Sequence, residues 1–225
     1  MRHSHGIASD GVEIEINARA ARRPNRDSDI RSAHRNEGIA ALNGEPMTII
    51  NSEVSLLNFY RASELHGGLI LGQMVRRTRD PRLILSLTRH SAEEVMHAQL
   101  WTETIIAIGG RPAPVHDTYQ TRYAKTVGMP LTMLEVLALT QIFERRVYRH
   151  FILHLRVPGI HPVVAVTLRR MIEEERGHLS WVKAWLDEQS RERGTEVREV
   201  MRRYALADQR IYDSLAGEYG LRWAA

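Results

Sequence analysis

Glu94-Val95-Met96-His97 and Glu175-Arg176-Gly177-His178 decide how this chain is read. Each follows a lone glutamate at almost the same distance: twenty-nine residues lie between Glu64 and Glu94, and thirty between Glu144 and Glu175. The sequence therefore repeats one half-site, a Glu and then a Glu-x-x-His, nearly in register. Residues three apart on an α-helix lie about 60° apart around its axis, so the Glu and His of each motif can share one metal ion.

The flanking sequence places each half-site on a helical hairpin. A first helix is expected from about Asn51 to Arg77, capped by Asn51 or Ser52, with Glu64 on an apolar stripe through Val54, Leu57, Leu71 and Val75. Asp80-Pro81 opens a second helix that Gly109-Gly110 ends after about Ile108. The stretch 110–129 carries Pro112, Pro114 and Gly128 and is too long for a turn between neighbours, so it reads as a crossover. Thr132-x-x-Glu135 is a capping box for a third helix to about Arg156. Pro158-Gly159 breaks that helix, and His161-Pro162 starts a fourth that runs to about Gln189. Gly194-Thr195 resets the chain for a fifth through roughly Ala216, whose Val197, Val200, Met201, Tyr204, Ile211 and Leu215 need burial against the bundle or a second subunit. The expected fold is all-α: a four-helix bundle over 47–190 with a long crossover between its second and third helices, then a C-terminal helix over 191–225.

Stripe position selects the ligands. Leu87, His90, Glu94, His97 and Trp101 follow helical spacing, as do Leu168, Met171, Glu175, His178 and Val182, and Leu137, Glu144, Val147 and Phe151. Glu93, Glu173 and Glu174 fall off these lines, and Glu173 and Glu174 are expected in solvent. Unpaired carboxylates in an apolar core are costly, and four converging ones repel strongly. Two divalent ions would neutralise them, with one imidazole completing each ion. Mixed carboxylate and imidazole ligation suits iron or manganese, as two Fe, two Mn or a mixed pair. The absence of cysteine excludes thiolate zinc, iron–sulfur and rubredoxin-type iron on this chain, so electrons must come from an external donor.

This doubled motif resembles the ferritin-like di-iron carboxylate superfamily, over about Asn51 to Gln189. The resemblance implies Glu94 and Glu175 as bridging ligands, Glu64 and Glu144 as terminal ones, and O2 as co-substrate. Within that group it points to an oxygenase or hydroxylase acting on a small organic molecule, with a ferroxidase, a rubrerythrin-like peroxidase or a tRNA-modifying hydroxylase as alternatives. Arylamine N-oxygenases carry an extra histidine where this chain has Met171, which disfavours that branch. A reading from a different class is a metal-free helical interaction protein, its carboxylates paired with Arg145, Arg146 or Arg176.

Further residues carry weaker expectations. Gly67 and Gly68, one turn after Glu64, are expected either to leave room beside the metals or to allow close helix packing. Tyr60, Thr140, Gln141 and Tyr148 lie about a turn from a ligand and are candidates to orient it. His66, His90, His150 and His154 are not expected to bind metal, although His90 precedes Glu94 by one turn. The crossover residues His116, Tyr119, Arg122, Tyr123 and Lys125 read as a solvated loop, with a cover over the site entrance as the alternative.

Residues 1–46 are polar and arginine-rich, with a short alternation through Val12, Ile14 and Ile16, and read as an arm, disordered or draped over the bundle or a neighbour. No apolar run there suits a signal peptide or membrane span, so a cytoplasmic protein, plausibly a homodimer, is expected. The net charge is +4, but only two of the 31 basic residues are lysines, a bias that need not concern nucleic acid, and no RNA partner is expected.

Overall fold

The computed structural model describes residues 46–219; the expected N-terminal arm lies outside the described residues, apart from Pro46. Five helices follow in order: α1 (Pro46–Val75), α2 (Pro81–Ala107), α3 (Tyr119–Val127), α4 (Met133–His154) and α5 (Pro162–Glu218). Helix α1 begins five residues before the expected cap. Asp80 accepts a hydrogen bond from the Arg82 amide at the start of α2, with Pro81 in the first turn, and Gly109 leaves the helix at φ +80°. The Thr132–Glu135 capping box opens α4, and His161 caps α5 ahead of Pro162. Helices α1 and α2 pack as one hairpin, and α4 packs with α5 as the other. Leu57, Leu87, Trp101, Leu137, Phe151, Leu168, Met171 and Val182 form the buried interior between them.

The crossover is not a solvated loop. Thr118 caps α3, a nine-residue helix that ends at Gly128, and Tyr119 and Tyr123 on it are buried. Both phenols donate to Asp208 Oδ1, at 2.9 Å and 2.8 Å, and Arg146 Nε donates to Asp208 Oδ2 at 2.8 Å. Little but the two tyrosines and Val127 signals this helix in sequence, because most of its other positions are polar.

The fourth and fifth helices expected from sequence are one helical element whose regular geometry fails at Arg193 (φ −134°, ψ 47°). Arg203 pairs with Glu135, Arg146 with Asp208, and His150 with Tyr212, so residues 194–218 run beside α4 in its own direction. The short turn at 155–161 makes α4 antiparallel to the earlier half of α5. The chain therefore doubles back at Arg193, and the C-terminal half covers α3 and α4. Among the described residues no helix is long and apolar enough to cross a membrane.

Asp208 is 3% exposed and joins three elements, so Asp208→Ala leaves two buried phenols and a half-buried guanidinium without their acceptor. The expected loss is about 3 kcal/mol, read as a lowered urea midpoint. Asp208→Asn, which keeps an acceptor oxygen, should lose less.

Candidate metal centre

All six ligands chosen from sequence are buried where the two hairpins meet: Glu64 on α1, Glu94 and His97 on α2, Glu144 on α4, and Glu175 and His178 on α5. Two groups of ligand atoms lie within 4.8 Å of one another: Glu94, His97, Glu175 and His178, and Glu94, Glu144, His178 and His90. Glu94 and His178 belong to both. Glu64 Oε2 lies 4.0 Å from His97 Nδ1 on the other side of the first group.

The imidazoles are aimed. His97 Nε2 donates to Glu174 Oε2 at 2.9 Å, and His178 Nε2 donates to Glu93 Oε2 at 3.0 Å. That places a proton on Nε2 and turns each Nδ1 inward, the nitrogen a metal would take in place of a proton, His97 Nδ1 lying 3.6 Å from Glu175 Oε1 and His178 Nδ1 3.1 Å from Glu94 Oε1. Both Nδ1 atoms, together with Glu144 Oε2 and Glu175 Oε2, are buried without a hydrogen-bond partner. Two nitrogens and two carboxylate oxygens that converge, face one another and lack protein donors are a fit for cations and for little else.

Glu174 thus corrects the expectation that it is solvated, and Glu93, beside the stripe of α2, plays the same part. The position next to each motif Glu lies off that helix's own stripe, which points it at the histidine of the opposite hairpin. Arg89 Nε holds Glu93 at 2.8 Å and Arg170 Nε holds Glu174 at 2.8 Å, each from one turn before. Burial acts to raise both carboxyls, yet the arginine and histidine partners hold them below the ordinary range. Glu173 remains exposed.

His90 also enters the centre. Its Nδ1 accepts from Trp181 Nε1 at 3.2 Å, which leaves the proton on Nε2, and Nε2 lies 2.9 Å from both Glu94 Oε1 and Glu144 Oε1. The ring stacks on His178 at 3.7 Å between centroids. In this tautomer no lone pair remains for a metal, so His90 acts as a donor that holds two ligand carboxylates together.

The residues expected to orient the ligands do other work. Tyr60 Oη bonds to His154 Nδ1 at 3.2 Å, and Tyr148 Oη accepts from Arg176 Nε at 3.3 Å. Gln141 Oε1 is buried without a partner, and Thr140 lines a cavity with Glu144. The two glycines divide between their two readings. A Cβ on Gly67 would meet only Gln120 Nε2 at 3.4 Å and Glu94 Oε2 at 3.6 Å, so Gly67 leaves space beside the ligand. Gly68 corrects the pocket reading: a Cβ there would lie 3.0 Å from the Ser91 carbonyl and 3.1 Å from Glu94 Cβ, and its role is close packing of α1 on α2.

Arginine does not neutralise the cluster. Among the described residues the four carboxylates contact only histidines and one another, while Arg146 serves Asp208 and Arg176 serves Tyr148. Without metal the charge is met by protons. Burial and then the neighbouring Glu94 hold Glu64 well above the usual carboxylate range, and burial likewise raises Glu144 against the pull of His90. Burial disfavours a charged His178, but the Glu175 and Glu94 carboxylates outweigh it and push the ring up to about 12. Glu94 goes the other way: burial is outweighed by His178 and His90, which hold it well below the ordinary range.

No protein-family model, curated protein or solved structure matches the chain. The all-helical fold and the two buried His/Glu clusters are consistent with a ferritin-like di-iron carboxylate site. Such a di-metal centre would be held by Glu64, Glu94, His97, Glu144, Glu175 and His178.

Three outcomes are expected. Glu174→Gln and Glu93→Gln, which remove the charge behind one imidazole each, should weaken Mn(II) binding about 10–100-fold in a calorimetric titration. Metal must displace the protons on His178 and Glu64, both held above their usual values, so affinity rises with pH, by about tenfold per unit for each proton displaced. Gly67→Ala should keep its metal, whereas Gly68→Ala should lower thermal stability by about 1–3 kcal/mol through overpacking at Ser91 and Glu94.

Proposed function

We propose that the protein is a di-iron oxidoreductase that uses O2 to oxidise a small apolar organic molecule. The observation that supports this reading most is the difference between the two faces of the centre. On the histidine face, an open groove of about 380 Å³ reaches His90 and His178 between Arg89, Glu93, Glu174 and Trp181. On the carboxylate face, the space is small and mostly apolar. One cavity of about 30 Å³ lies beside Glu94 and Glu144, bounded by Gly67, Leu71, Tyr123, Leu139 and Phe143. A second of about 30 Å³ lies beside Glu64, bounded by Phe59, Tyr60, Phe143, His150 and Phe151.

Each cavity takes a diatomic molecule or one to two waters. The chemistry supplied by a bound pair of reduced irons is two-electron delivery to O2. The chain's own residues supply the rest. His90 holds Glu94 and Glu144 in place, Glu93 and Glu174 keep the imidazole lone pairs directed inward, and the aromatic walls keep bulk water from the carboxylate face. An organic substrate would enter this face past Gln120 and Tyr123 of α3, which wall the first cavity. Electrons come from a separate carrier, as the chain has no cysteine for an iron–sulfur relay.

A ferroxidase is the second reading, and the small volume of these cavities favours it, since iron itself would then be the substrate. Rapid mixing of protein loaded with two Fe(II) per chain against O2 separates the two. The oxygenase predicts one O2 consumed per two irons, with the metals retained and product formed once a small apolar substrate and a reductant are added. Uptake of many irons per chain with mineral growth would overturn it in favour of the ferroxidase. Gly67→Leu, which fills the first cavity, should lower substrate oxidation while metal content stays at two per chain.

A further inference from the structure

Gln141, Arg145, Tyr148 and Arg176 stand within four residues of Glu144 or Glu175 in sequence, yet all of them line a groove that the metal centre does not use. The groove is open, holds about 680 Å³, and lies between α4 and the two halves of α5. That volume falls in the range of small-molecule sites. It shares no lining residue with the groove and cavities beside the metal ligands.

Its walls are two facing rows of donors. Gln141, Arg145 and Tyr148 follow four- and three-residue steps along one face of α4. Arg176, Ser180 and Lys183 repeat that spacing on the antiparallel first half of α5. The rows touch where Arg176 Nε donates to Tyr148 Oη at 3.3 Å. Beyond Lys183 the lining turns apolar. Leu186 and Val197 are buried and Met201 is half-buried, in the angle where α5 doubles back at Arg193. From Arg176 to Leu186 the groove follows α5 for about 15 Å.

The donors lack acceptors. Among the described residues Arg145 makes no ion pair or hydrogen bond, and the one hydrogen bond of Arg176 goes to a neutral phenol. Of the cations that line the groove, Lys183 has a carboxylate, Asp187, and the two arginines have none. Two positive charges are therefore uncompensated. Gln141 is 5% exposed, and neither end of its amide meets a protein partner. Its Oε1 is fully buried, so Nε2 is the end at the groove, with no acceptor from the protein. Surface arginines often stand alone in solvent, but these flank a phenol beside a buried, uncommitted amide, in a cleft whose far end is apolar.

We propose that this groove binds an amphipathic anion, with an oxyanion head, carboxylate or phosphate, between the two rows of donors and an alkyl tail over Leu186, Val197 and Met201. Guanidinium forks match the paired oxygens of such a head, and the Gln141 amide adds N–H donors that have no other use. The tail covers apolar surface that otherwise faces water. A polyanion such as nucleic acid fits less well, because it would lay phosphates along the apolar end too. The site needs no chemistry from the metals, so it stands or falls apart from the O2-using reading of the centre.

Isothermal titration of full-length protein loaded with two metals per chain tests the site. The probes are decanoate, decyl phosphate, decan-1-ol and inorganic phosphate. Decanoate or decyl phosphate should saturate at one per chain, the tighter of the two naming the head group. The alcohol, which lacks the charge, and phosphate, which lacks the tail, should bind more weakly by about tenfold or more. Arg145→Gln and Arg176→Gln should each weaken binding of the tighter probe by about tenfold, with metal content unchanged. Gln141→Leu removes a buried oxygen that has no partner, so it should weaken binding without lowering the thermal midpoint, a combination that a purely structural role would not give. Equal affinity for decanoate, decyl phosphate and decan-1-ol overturns the site, as does full affinity in the variant that carries both arginine substitutions. Absence of saturable binding overturns it too. Binding that survives these substitutions but disappears when the metals are removed would place the anion at the metal centre and likewise overturn the groove as its site.

Discussion

Four carboxylates forced into one apolar interior, with no arginine or lysine among their partners in the described residues, set the terms for everything around them. Their mutual repulsion in a low-dielectric interior is far larger than the margin by which a domain is stable. The protein meets that cost with three histidines and with carboxyls at Glu64 and Glu144 raised above their ordinary range, and the donor atoms left without a hydrogen-bond partner are ones that cations complete. The bundle's apolar surfaces stabilise the fold on either side, but the cluster determines which faces must meet. Each hairpin brings one Glu and one Glu-x-x-His, and neither hairpin makes a site alone.

The sequence disclosed this centre because the constraint is periodic. A carboxylate that interrupts an apolar stripe is visible in any helical projection, and Glu64, Glu94, Glu144 and Glu175 each do so. The capping residues Asp80, Thr132 and His161 were legible for a similar reason: a helix start needs an acceptor for its free amides, and the residue that supplies it is local. What stayed hidden was set across the chain. Nothing in the projection of α2 says that Glu93 faces the histidine of α5, although the doubled Glu-Glu at 93–94 and 174–175 carries the hint. The nine residues of α3 have too few apolar positions to announce a helix, and their fold depends on Asp208, eighty-five residues beyond Tyr123. The reversal at Arg193 was expected one residue later and as a break between two helices, because Gly194 marks the bend without giving its direction.

The structure extends the repeat beyond the ligands. Arg89, Glu93, Glu94 and His97 on α2 correspond to Arg170, Glu174, Glu175 and His178 on α5, and each outer Glu crosses to the other hairpin's imidazole. This reciprocity aligns both hairpins at once. A slip of either helix by one residue would break two charge-assisted hydrogen bonds and aim two imidazoles away from the centre. The register of the bundle is thus fixed by its chemistry as much as by the volume of its core.

Where the repeat fails, the two metal positions cease to be equivalent. His90 stands in α2 where Met171 stands in α5, both fully buried, and only His90 reaches the carboxylates. Its donor proton pulls on Glu94 and Glu144, so the position bounded by Glu144 and His178 is held by carboxylates that already share a hydrogen bond. The position bounded by Glu64 and His97 has no such donor, and Glu64 there faces the aromatic cavity. One metal position is therefore electronically poorer in ligand charge and the other is open toward the enclosed space. Under the proposed O2-using reading, that inequality would leave one side free to react while the other stays bound, and in this chain a single side chain, supported by Trp181, would create it.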